Sequence, residues 1–134
     1  MAKGLTSLLA EQRRQKELRR AQRDPWYLAC KLGYAYDPTV GKGVAAGKGL
    51  TERIHKVIWQ NYILPNEDFP FLFLEMARFS HKTTMWVIEM IRDLLIDPNT
   101  QLGYYHAVFK KADEVVREVG QLLQKHPYLR SLEP

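Results

Sequence analysis

Lys82, Thr83 and Thr84, preceded by Arg78, Phe79, Ser80 and His81, gather a guanidinium, an ammonium and several hydroxyls into one short stretch, and these are the groups that handle phosphate. They follow the apolar run Phe71-Leu72-Phe73-Leu74 and the pair Met76-Ala77. They precede a helical pattern over residues 85–95 in which Trp86, Val87, Met90, Ile91 and Leu94 share one broad face. A loop between such elements aims its free N–H groups and the positive end of the helix at one place, where both stabilise an anion. Lys82 would then reach the β and γ phosphates of a nucleotide, and the Thr83 hydroxyl would ligate Mg²⁺. The spelling departs from the usual G-x-x-x-x-G-K-[ST]: Ala77 or Met76 stands at the first glycine and His81 before the lysine. Glycine serves such loops by admitting backbone geometries that a Cβ resists. A simpler role for the same residues is the start of a surface helix, with Ser80 as its cap.

The elements that must position this loop can be read on either side of it. The run at residues 71–74 has the length and continuity of a strand buried on both faces. Asp97-Pro98-Asn99 stops the helix, since proline cannot continue it and asparagine favours a turn. A second short strand is expected at Gln101-Leu102-Gly103-Tyr104-Tyr105. A second helix follows over residues 109–125, where Ala112, Val115, Val116, Val119, Leu122 and Leu123 form one apolar stripe. This order predicts an α/β fold, a P-loop NTPase-like parallel sheet with flanking helices, incomplete within this chain and preceded by a basic N-terminal helix. Two strands do not make a self-sufficient sheet, so further strands or a partner's edge are expected to complete it.

Residues 50–132 resemble the amino-terminal part of the ATPase domain in large terminase subunits, the DNA-packaging motors of tailed bacteriophages. Four landmarks carry the resemblance in order: Leu50-Thr51-Glu52-Arg53-Ile54-His55 ahead of the nucleotide site, Ala77-Arg78-Phe79-Ser80-His81-Lys82-Thr83-Thr84 as the loop, Leu95-Ile96-Asp97-Pro98-Asn99 as a turn, and the closing His126-Pro127-Tyr128-Leu129-Arg130-Ser131-Leu132. The resemblance implies ATP and Mg²⁺ as cofactors, bound by Ala77, Arg78, Phe79, Ser80, His81, Lys82, Thr83 and Thr84, with Thr83 on the metal and Lys82 and Arg78 catalytic. Arg78 matches an arginine finger, and a guanidinium fork suits two phosphate oxygens on which charge develops. Phe79 stands where many relatives have glycine or glutamine, so its ring must find an apolar pocket or lie beside the nucleotide. His55, Trp59 and Gln60 are the candidates for packing around adenine, Gln60 through its amide and Trp59 more simply as core. The implied partners are double-stranded DNA, the portal protein, the small terminase subunit and further copies in a homo-oligomeric ring. The implied place is the cytoplasm of the infected bacterial host, transiently at the procapsid portal. The alternative is a non-catalytic DNA-binding or scaffold module that kept a degenerate loop.

An ATPase of this kind also needs carboxylates for the metal and the attacking water. Asp93, Asp97, Asp113, Glu114 and Glu118 read instead as solvated face charges. The chain is therefore expected to be an amino-terminal fragment of a larger motor, or a truncated relative, and to be inactive alone. The net charge of +5 is local: residues 1–31 hold eight cations against three acids, whereas residues 32–134 hold twelve of each sign. That basic segment, residues 1–32, could approach DNA phosphates, the portal rim or a neighbouring subunit. Trp26, Tyr27 and Leu28 would anchor its end in a core. Gly33, Gly41, Gly43, Gly47 and Gly49 make residues 33–49 a connector; its two Gly-Lys-Gly triplets lack the preceding buried strand of a phosphate loop. The resemblance implies that residues 50–134 are the N-terminal portion of a P-loop ATPase domain. Cys30 is alone, His81, His106 and His126 are too scattered for a metal centre, and no membrane span or signal peptide is expected.

Overall fold

A computed structural model describes residues 2–35, 49–78 and 80–133. Phe79 and most of the glycine-rich connector, with its Gly-Lys-Gly triplets, lie outside the described residues.

The chain opens with a long helix, α1 (Ala2–Arg23), which stops at Asp24. There the backbone turns extended, the Asp24 carboxylate accepts the Tyr27 N–H at 3.1 Å, and Pro25 begins α2 (Pro25–Leu32). Gly33 closes α2 at φ 85°, a left-handed conformation in which its N–H reaches the Cys30 carbonyl. Trp26 and Leu28 are buried and Tyr27 half-buried, which matches their expected anchoring role. Ala35 then forms an isolated parallel bridge with Leu50, and the Leu50 N–H donates to the Tyr34 carbonyl at 2.7 Å.

Two π-helical turns, Glu52–Lys56 and Trp59–Ile63, follow with a 3₁₀ turn at Leu64–Asn66. They bury His55, Trp59 and Ile63. Helix α3 (Lys82–Ile96) is the hub, packing against α1, α2 and α4 (Phe109–Lys125), while α4 packs on the short α5 (Pro127–Ser131). Met85, Val87, Ile88 and Ile91 of α3 are almost wholly buried, and each such side chain contributes about 1.5–3 kcal/mol of hydrophobic stabilisation. Helix α4 spans the range read from the sequence, whereas α3 begins three residues ahead of its 85–95 pattern.

The expected parallel sheet is not seen: no strand or sheet occurs among the described residues, and the fold is helical. Residues 71–77 and 101–106 carry no regular structure. Phe71 and Phe73 are 90% and 87% exposed, where a buried strand would hide both. The physical reason is pairing. An apolar run shows that a segment gains from cover, but a strand exists only where a neighbour takes its backbone N–H and C=O groups. Helices satisfy those groups internally, so the apolar faces of α1 to α5 can bury one another without a ladder.

Candidate phosphate-binding loop

The loop from Ala77 to Thr84 enters α3 through a left-handed residue. His81 has φ 61° and ψ 26°, the one positive φ outside glycine among the described residues. It occupies the N-cap position of α3 and makes no side-chain capping bond. Ser80, expected to cap this helix, does not: its Oγ is buried with no hydrogen-bond partner among the described residues. The cap position falls one residue later than that expectation, so the Ser80 hydroxyl is out of register with the first turn. The N–H groups of Lys82, Thr83 and Thr84 consequently have no acceptor among the described residues, and they stand at the positive end of the helix.

His55 holds the loop from below. Its Nδ1 accepts the Thr51 N–H at 2.9 Å, which leaves Nε2 protonated to donate to the Ser80 carbonyl at 2.6 Å. The ring is 2% exposed and meets His81 edge to face at 6.1 Å. The π-helical turn at Glu52–Lys56 that carries His55 is of a kind that recurs at functional sites. A second buried group braces α3 about two turns further on. Trp59 Nε1 donates to Glu89 Oε1 at 2.8 Å, and Arg92 donates to Glu89 Oε2 at 3.3 Å and to the Gln22 carbonyl at 2.8 Å. Arg92 also pairs with Glu67 at 2.5 Å. Burial raises the Glu89 carboxyl above its usual range, partly opposed by Arg92.

The remaining expected site residues divide clearly. Ala77, Arg78, Lys82 and Thr83 are exposed, and neither cation forms an ion pair among the described residues. Thr84 is half-buried, and Phe79 lies outside the described residues. Gln60 is exposed and makes no hydrogen bond to the loop among the described residues, whereas Trp59 is fully buried as core. His55, weighed for adenine, is engaged instead with the loop backbone. No spacing rule links residues 55 and 80, so that contact was illegible in the sequence. The Glu89–Arg92 pair left a signal, two opposite charges within the apolar pattern of α3. Asp113 pairs with Arg117, and Glu118 accepts from the Tyr34 hydroxyl, so Glu118 is not simply a solvated charge. Among the described residues there is no cluster of three or more potential metal ligands and no helix long and apolar enough to cross a membrane. No protein family, curated protein or solved structure matches the chain.

Proposed function

We propose that this chain is the nucleotide-binding part of a viral DNA-packaging motor of the large-terminase type, with residues 77–84 cradling the phosphates of ATP. The observation that carries the reading is the left-handed turn at His81. It stands immediately before Lys82, where the general phosphate-loop pattern has a glycine, and glycine is the residue suited to that conformation. The donors fit a polyphosphate: three N–H groups with no acceptor among the described residues, the Lys82 ammonium and the Arg78 guanidinium, with no carboxylate among residues 77–84.

In this reading Lys82 binds the β and γ phosphates as a point charge, and Arg78 orients the γ-phosphate with its fork. The Thr83 hydroxyl would hold Mg²⁺. That ion, when bound, supplies charge neutralisation on the phosphate oxygens. His55 positions the loop by fixing the Ser80 carbonyl, so the N–H groups need not reorganise on binding.

Calorimetric titration of the chain with a non-hydrolysable ATP analogue and Mg²⁺ tests the proposal. A hydrogen bond to a charged group is worth about 1.5–3 kcal/mol, so Lys82→Ala should weaken binding by roughly tenfold to a hundredfold. Absence of binding, or equal binding by wild type and Lys82→Ala, would overturn the nucleotide reading and leave the non-catalytic DNA-binding or scaffold module.

A further inference from the structure

The second half of α1 carries a basic face whose cations form no ion pair among the described residues. Lys16, Arg19, Arg20 and Arg23 recur at the i, i+3, i+4, i+7 spacing of one helical face, over about 10 Å of axis. All four are exposed, and with Asp24 they line a surface hollow of about 350 Å³. Arg20 stacks on the Tyr27 ring at 3.8 Å, which fixes its guanidinium without removing its charge.

Few acids stand near this face, and four cations against Asp24 leave the hollow net positive. Asp24 caps α2, Glu17 accepts from the hydroxyls of Tyr27 and Tyr128, and Glu11 pairs with Arg14. The exposed leucines of α1, Leu5, Leu8 and Leu9, all lie in its first half. A protein partner is anchored by buried aromatic or aliphatic side chains, and the basic half offers none. A polyphosphate backbone needs only the charge.

We infer that this face of α1 is a binding surface for the phosphate backbone of duplex DNA, held without reading sequence. It rests on α1 alone and goes beyond the phosphate-loop reading. Contacts of this kind release counterions, so affinity falls steeply with salt, by a log–log slope of about 0.9 for each phosphate neutralised.

The test is fluorescence anisotropy of a labelled mixed-sequence duplex with the full chain over a salt series, in the absence of nucleotide, so its outcome is independent of the ATP titration. The triple variant Lys16→Gln/Arg19→Gln/Arg23→Gln should lose about tenfold or more in affinity and about 2.7 in salt slope. Arg19→Lys/Arg23→Lys keeps the charge and should bind within about threefold of wild type. An equal charge removal on α4, Lys110→Gln/Lys111→Gln/Lys125→Gln, should also change binding by no more than about threefold, with circular dichroism confirming helix content in each variant. The inference is overturned if the wild-type chain fails to bind, if the α1 triple variant binds like wild type, if the α4 variant loses as much, or if polyglutamate of matched charge binds more tightly than the duplex.

Discussion

An L-residue in the left-handed region lies about 1–2 kcal/mol above its right-handed alternative, and His81 is held there at the entrance to α3. Replacing it with glycine removes that penalty but adds freedom to the unfolded chain, so His81→Gly should raise stability by about 0.5–1 kcal/mol. His81→Ala retains the Cβ and should fall below His81→Gly in urea midpoint at unchanged m. An alanine variant as stable as the glycine variant would mean that the turn stores no strain. At this scale the sequence was legible where a residue type answers a backbone demand: the missing glycine before Lys82 marks the strained position. It was not legible for Ser80, because a cap depends on helix register to a single residue, nor for His55, whose loop contact is made only by the fold.

Among the elements, helices were readable and strands were not, for one reason. The stripes of α3 and α4 report a property of the segment itself, and Asp97 and His126 close or open helices through local bonds: the Asn99 N–H donates to Asp97 Oδ1 at 3.0 Å, and the Tyr128 N–H to His126 Nδ1 at 3.2 Å. Residues 71–77 depend on a neighbour that the described residues do not supply. An exposed Phe-rich run with open backbone groups is a template for self-association. Phe71→Ser/Phe73→Ser should therefore reduce concentration-dependent association in sedimentation experiments, while changing unfolding free energy by no more than about 0.5 kcal/mol. A large loss of stability would mean that the run is packed after all.

Across the whole molecule, charge partition was plain in the sequence, whereas the cross-links between distant segments were not. Arg92 ties three of them together: Gln22 at the end of α1, Glu67 beyond the 3₁₀ turn and Glu89 beside Trp59. The folded protein holds the Glu89 proton more tightly than the unfolded chain does, because burial disfavours the carboxylate. Stability from this group is thus fully present below the ordinary value of 4.5 and is lost as pH rises from there through the raised value. Asp93, raised mainly by burial, acts in the same sense. Glu89→Gln keeps an oxygen for Trp59 and cannot ionise, so its stability relative to wild type should improve as pH rises through that window. Chemical denaturation from about pH 4 to about pH 8 measures this, and a difference independent of pH would refute it.

The imidazole of His55 gives the loop a clock. Because the Thr51 amide hydrogen is donated to the same ring that grips the Ser80 carbonyl, it can be traded for solvent deuterium only when that ring lets go. The residence time of that one proton, 29 positions before Ser80, therefore records how often the imidazole beneath the loop releases its amide partner.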